Sequence, residues 1–484
     1  MRDEKSAEGK DPKDEKDSKD SEEKSFPLSI SCRSLLLPEV LFPMSESLYS
    51  LPVPLSLYNS LNKREELLIP LAKDPATLER IARTLHCHST ELDPTRIVTM
   101  YTCGPTVYSR PHIGNYSSFL MADLLRRWLE AGHGYAVVHA KNITDVGHLL
   151  HDRDQGDDKI EREAQKQKLH PLAIAERYTA QYIDDETALH LLEPHARPRA
   201  TEFIIAMQEM ITALVEKGFA YSTSDGIYFD VTAAKLTPYG MLSGNTVEAL
   251  NAGARVEVKE SKRHPADFAL WKFCVGENSH HILRWPSPWA EGLPEGFPGW
   301  HIECSAMSSA LLGEQIDIHT GGEDNIFPHH ECEIAKSEAV SGKAPFVRMW
   351  LHKRRIDLGS AKMSKSLGNV LSVEDIVAKG FEPMDLRYYL LSVHYRTQLR
   401  FSWKGLEDAR KARKKIVEWI GEMETNIGHR TSDIGLRTSD FGLRTWVISA
   451  QVSSLKSQVS NADSAKRSTK ILTPLRRSRR SSIA

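Results

Sequence analysis

Long hydrophobic runs are missing from this chain. Its longest apolar runs, such as "SLLLPEVLF" from Ser34, are interrupted by proline and charge. They fall well short of the roughly 18 residues that a membrane-spanning helix needs. An excess of either charge is missing too: 63 Lys and Arg stand against 65 Asp and Glu, for a net charge of −2. Strong nonspecific DNA binding is therefore not expected, and any nucleic-acid contact has to come from local basic patches. Cysteines are few. Cys32, Cys87, Cys103, Cys274, Cys304 and Cys332 follow no disulfide-framework spacing, which fits a reducing, intracellular compartment. "MRDEKSAEGKDPKDEKDSKDSEEK" mixes both charges and leads into no signal-type apolar core, so export is not expected. These absences predict a cytoplasmic protein without membrane or DNA partners. The 40% hydrophobic content still suffices for a sizeable core.

Composition and periodicity divide the chain. Residues 1–54 are charged and then Leu/Pro/Ser-rich without a period, and are expected to be a disordered extension. Within 55–155, "RIVTMYTC" reads as a strand ending at Cys103. In "HIGNYSSFLMADLLRRWLEAGHG", Phe119, Leu120, Leu124, Leu125 and Leu129 form a helical stripe, with Gly132 and Gly134 as the stop. "YAVVHAKNITDV" is a second strand. Strand, helix, strand predicts an α/β fold on a parallel sheet, with ligands at the carboxyl ends of its strands. Residues 156–245 read as helices and then a hairpin around Asp225-Gly226, an insertion between the two halves of the sheet. Residues 246–360 supply the second half through "GWHIECSAMSSALLG", "QIDIHTGGED" and "FVRMWLH". Residues 361–424 hold "KMSKSLGN" and then helices ending near "ARKARKKIVEWIGEM". In 425–484, "GHRTSDIGLRTSDFGLRT" repeats every seven residues without an apolar seam and the end is Ser/Arg-rich, so no core is expected there.

Three motifs carry chemistry. "FPHHECEIAKSE", Phe327 to Glu338, reads as the start of an amphipathic helix with Ile334, Ala335, Ala339 and Val340 on its apolar side. His329 and Glu333, four apart, leave one face of that helix as a two-ligand clamp. With Cys103 and Cys304 they would complete a four-ligand zinc site, His330 and Cys332 pointing elsewhere; a polar helix end is the plainer alternative, because spacing does not bring the two cysteines together. "PHIGN" from Pro111 opens a helix, where Gly114 lets a ligand approach the backbone and His112 and Asn115 can donate to phosphate oxygens. A capping turn explains it equally well. "KMSKS", Lys362 to Ser366, offers two ammonium groups in a loop that could clamp a developing pyrophosphate, or merely a solvated basic turn.

Taken together these motifs resemble the class I aminoacyl-tRNA synthetases, with their HIGH and KMSKS signatures on a Rossmann-like fold. The resemblance is to the cysteinyl-tRNA synthetase family in particular. "YTCGPTVYSRPHIGNYSSF", "NITDV", "WPSPW", "GWHIECSAM", "DIHTGGEDNIFPHHECEIA" and "KMSKSLGNVLSVEDI" occur in the family's order, across about Leu57 to Met423. The resemblance implies zinc on Cys103, Cys304, His329 and Glu333, which would bind the substrate thiolate. It also implies Mg-ATP held by His112, Gly114, Asn115, Lys362 and Lys365, and an amino-acid pocket lined by Thr144, Trp300, His301 and His319. The implied activity joins L-cysteine to tRNA(Cys) through cysteinyl-adenylate, with no separate editing domain.

The match has limits. Asn115 stands where the HIGH signature ends in histidine, and "AKDPATLERIARTLHCHSTELDP" from Ala72 looks like an insertion. The family's helical anticodon-binding domain has no counterpart in the tail, which is expected to lack it or to be truncated. That shortness would also suit a ligase passing cysteine to an amino sugar in the mycothiol pathway, although Glu333 and "HIGN" match the synthetases more closely. A non-catalytic, zinc-containing RNA-binding relative would have lost the signature residues that are intact here.

Overall fold

The computed structural model describes residues 54–149, 156–246, 262–289, 292–357 and 370–433, with side chains through residue 422. A hairpin, β1 (Ser56–Asn59) and β2 (Arg64–Leu67), is followed by helix α1 (Pro75–Leu85), which lies in the stretch that reads as an insertion. Asp74 caps α1 by accepting from the Thr77 amide at 2.7 Å, and Pro75 pre-sets the first helical residue. Next come β3 (Ile97–Thr102), α2 (Ile113–His133) and β4 (Ala136–Lys141), the expected strand-helix-strand unit. Gly132 remains inside α2. Gly134, at φ +67°, ends it with a left-handed cap.

Helices α3 (Lys159–Gln167), α4 (Pro171–Ala188) and α5 (Ile204–Glu216) lead to an antiparallel sheet of β5 (Ala220–Ser222), β6 (Gly226–Phe229), β7 (Phe268–Phe273) and β8 (Gly296–Pro298). The chain then re-enters the first sheet through α6 (Trp300–Leu312), β9 (Ile316–Gly322), α7 (Glu331–Ser341) and β10 (Val347–Lys353). After β11 (Ile356–Asp357) come α8 (Val373–Ala378), α9 (Pro383–Leu390), β12 (Leu399–Arg400) and α10 (Trp403–Asp433). Helix α10 therefore runs past residue 424. Residues 1–53 of the amino-terminal extension and 434–484 of the repeat-bearing tail lie outside the described residues.

The main sheet has the order β10-β9-β3-β4 and every pairing is parallel, which bears out the α/β class. Every residue of β3 is buried. A parallel sheet covered on both faces uses near-continuous apolar strands rather than alternating ones. Helix α2 buries two faces, and this explains its broad stripe. Met121, Ala122, Leu125 and Leu129 pack on the sheet residues Val98, Met100, Val137 and Ile318. Ile113, Tyr116, Phe119 and Leu120 join a second core with α3, α4 and α8–α10. A buried polar knot ties α1's approach to the sheet: Asp317 of β9 accepts from the Thr99 amide (2.7 Å) and hydroxyl (2.8 Å), the Leu71 amide (2.6 Å) and Lys73 Nζ (2.8 Å).

Strand order reverses direction between β3 and β9: the first half steps outward to β4 and the second to β10. Such a switch point opens a crevice at the carboxyl ends of the strands. Cys103, Asn142, Gly322 and Lys353, which end or follow the four strands, all line the same cleft there.

Candidate metal centre and cleft

Cys103 leaves β3 with its amide bonded to Thr320 O at 3.2 Å. The next residue must be glycine, because a Cβ on Gly104 would lie 1.7 Å from Asn142 O. Cys304 sits within α6 and is buried. His329 arrives differently from the expected helix start. Phe327 is extended (φ −134°, ψ 133°), the chain takes a wide turn over Ile326–His330, and α7 begins only at Glu331.

Helix α7 is not amphipathic either. Glu331 through Ala339 are all buried, because the helix is enclosed by polar partners as well as apolar ones. Glu331 accepts from the Gly240 and Ser243 amides at 2.8 Å each, and Glu338 accepts from Thr237 and Phe346. A buried polar group is tolerated when bonded in this way.

The ligand atoms of Cys103, Cys304, His329 and Glu333 lie within 4.8 Å of one another, all buried. The two sulfurs are 3.8 Å apart. Two zinc–sulfur bonds of about 2.3 Å at a tetrahedral angle require a separation of about 3.8 Å. His329 Nε2 and Glu333 Oε1 are 3.0 Å apart, slightly closer than the about 3.3 Å that tetrahedral bonds of roughly 2.05 Å would set. Donor types and spacing thus fit a zinc ion.

Electrostatics agree. Burial raises the Glu333 carboxyl, but the imidazoles of His319 and His329 outweigh it and hold the group well below the carboxylate range. Burial also pushes the Cys304 thiol up, yet Cys103 and His329 bring it down to about 6. Burial and the neighbouring Cys304 keep Cys103 protonated, while the Glu333 and Cys304 charges raise His329 to about 9 against the effect of burial.

His330 does not point elsewhere. The turn at Phe327 swings its Nε2 to 3.2 Å from Cys103 Sγ, and its Nδ1 lies 2.8 Å from His352 Nε2. With His319 it forms an alternative donor set around Cys103 and Glu333. Cys332 does point away, to the Tyr239 hydroxyl at 3.4 Å. His319 Nε2 lies 3.1 Å from Glu333 Oε2, a separation at which the imidazole donates to the carboxylate. His319 and His330 thus contact two of the four donors, Glu333 and Cys103.

The centre lies at one end of a cleft of about 1230 Å³, which has room for a nucleotide beside an amino acid. Thr144 and Trp300 line it; His301 and His319 are not among its lining residues. The Thr144 hydroxyl donates to Glu303 at 2.9 Å, and Glu303, fully buried, is pushed well above the usual carboxyl range by burial and then by Cys304. His112, Gly114 and Asn115 line the cleft at the start of α2. His112 Nδ1 accepts from the Asn115 amide (3.3 Å) and Asn115 Oδ1 accepts from the His112 amide (3.0 Å). In this reciprocal cap Nδ1 of His112 and Oδ1 of Asn115 both act as acceptors. Lys362 and Lys365 lie outside the described residues. Sequence reading missed His148, which lines the cleft and stacks on Trp300 at 4.2 Å. Its signal was faint: one histidine two residues after "NITDV".

A Cys/Cys/His/Glu cluster thus lies at the cleft that opens at the sheet's switch point. The family model described as "tRNA synthetases class I (C) catalytic domain" matches residues 90–411. Three relatives sharpen this, each named a cysteine–tRNA ligase. One from Thermus thermophilus is 47% identical over 326 residues, 67% of this chain and 65% of the relative. That of Chlorobaculum tepidum is 42% identical over 66% of each. That of Bacteroides fragilis is 39% identical over 76% of this chain and 71% of its own. The chain belongs to the cysteine–tRNA ligase family, and it spans about 65% of the length of the Thermus relative. Among the described residues no helix is long and apolar enough to cross a membrane.

Proposed function

We propose that this protein activates L-cysteine with Mg-ATP to cysteinyl-adenylate and passes the cysteinyl group to the 3′ end of tRNA(Cys), in the cytoplasm. The observation that carries this reading is the convergence of Cys103, Cys304, His329 and Glu333 at the cleft, with sulfurs spaced for one tetrahedral ion. Those four residues would hold zinc. Bound zinc would supply a Lewis-acid centre that prefers a thiolate to a hydroxyl. A pocket relying on shape alone would reject serine by roughly 10²-fold, so a site for a sulfur bond makes separate editing unnecessary.

The chain's own residues do the rest. Thr144 and Trp300 wall the amino-acid end of the cleft, and His112 and Asn115 direct N–H groups at the nucleotide phosphates from the positive end of α2. Lys362 and Lys365 neutralise the charge that develops as the cysteine carboxylate attacks the α-phosphate and pyrophosphate leaves. The roles of Lys362 and Lys365 rest on the family signature alone, whereas Thr144, Trp300, His112 and Asn115 line the cleft.

The test is cysteine-dependent ATP–pyrophosphate exchange by the full-length chain, with serine as control and bound metal quantified. Exchange with cysteine alone is expected, and Lys365→Ala should slow it while the protein stays folded. Adding tRNA(Cys) or an amino sugar as acceptor then shows where the cysteinyl group goes. Equal exchange with serine, or none with either amino acid, would refute the proposal, and transfer only to the amino sugar would replace its second step.

A further inference from the structure

His148 occupies a built position that the reaction above does not use. Gly147, at φ +75°, turns the chain where a Cβ would meet Pro298 O at 2.4 Å, and so delivers His148 into the cleft wall. The His148 carbonyl accepts from the Lys159 amide at 3.0 Å, and Leu149 bridges Asp158. Both ring nitrogens are engaged: Nε2 lies 2.5 Å from Lys159 Nζ, and Nδ1 lies 2.7 Å from Thr106 Oγ1. A lysine side chain donates in such a contact, so Nε2 accepts there and Nδ1 faces the Thr106 hydroxyl. That ring stacks on Trp300 at 4.2 Å with planes 10° apart, and Trp300 stacks in turn on His329 at 4.3 Å and 20°. A continuous ring series thus runs from a hydrogen-bonded anchor on α3 to one of the four donors of the metal centre.

We infer that His148 is a positioning residue of the amino-acid pocket, holding the Trp300 indole in place as pocket wall and backing for His329. The inference rests on the proposed function and adds to it a specificity determinant outside the signature motifs. The stacked face performs the positioning; the bonds to Lys159 and Thr106 set the angle of the ring.

The test is a cysteine titration of the full-length chain loaded with cobalt(II), whose absorption reports thiolate binding without turnover, beside the exchange assay. His148→Ala should weaken cysteine by up to roughly ten-fold, the upper end of what a stacked aromatic pair contributes, with cobalt content and the KM for ATP unchanged. His148→Phe, which keeps a flat ring, should recover most of that loss. Cobalt lost from His148→Ala, an unmoved midpoint, or His148→Phe as weak as His148→Ala would each overturn the inference. A wild-type chain that exchanges while His148→Ala keeps its midpoint sinks this inference alone. A wild-type cobalt spectrum that ignores cysteine sinks the proposed function as well.

Discussion

Lowering the pH should strip the metal centre in a way that counts its protons. Without metal near pH 7.5, Glu333 is ionised and Cys304, at about 6, is largely thiolate. Cys103 keeps its proton, and His329, at about 9, is imidazolium. A zinc ion takes only thiolate and neutral imidazole, so loading has to displace two protons, one from Cys103 and one from His329. The metal-free state therefore holds more protons, and acid favours it. The apparent affinity should fall about 100-fold per pH unit, or about four decades from pH 8 to pH 6, on the order of 5 kcal/mol. Below about 6, Cys304 takes up a third proton and the slope steepens. Competition against a chromophoric chelator across this range, corrected for the chelator's own protonation, measures the slope. A slope of one proton or fewer between pH 8 and pH 7 would show that the cluster is already deprotonated without metal, and would refute the charge assignment.

Other outcomes follow from single contacts. Cys304→Ser should lower metal content and cysteine binding together, and full metal occupancy in that variant would contradict the centre. Gly104→Ala has to move the strand end that carries Cys103, since its Cβ would lie 1.7 Å from Asn142 O; metal content should drop, and an unchanged stoichiometry would show the backbone yields. Asp317→Ala removes the carboxylate 2.8 Å from Lys73, whose side chain is 1% exposed, and leaves its buried charge with the Leu71 carbonyl, so it should cost roughly 3 kcal/mol. Equilibrium denaturation measures this, and a loss under about 1 kcal/mol, as for an exposed pair, would mean the knot is solvated.

Much of the architecture was legible because it is written in near-neighbour patterns. The run "RIVTMYTC" is apolar on both faces because β3 is covered on both, and α2 shows its stripe because every third or fourth residue meets one of two cores. Local pattern misled where burial overrode it. "ECEIAKSE" has charges where an amphipathic helix would expose them, yet Glu331 and Glu338 are buried and bonded to backbone amides from other segments. The insertion from Ala72 gave no hint that Lys73 would be locked under the sheet by Asp317.

What the sequence determined by itself was the kind of chemistry available: two thiols, an imidazole and a carboxylate, a helix start carrying His112 and Asn115, and a strand-helix-strand frame. What only the tertiary structure decided was the company these groups keep. Cys103 and Cys304 are 201 residues apart in the chain and 3.8 Å apart in space. His330 turns inward because Phe327 is extended, and His148 reaches Trp300 across 152 positions, from 148 to 300. Periodicity reports only neighbours within a turn or a strand, whereas these meetings depend on how the sheet reverses direction at β3 and β9 and brings distant loops to one edge.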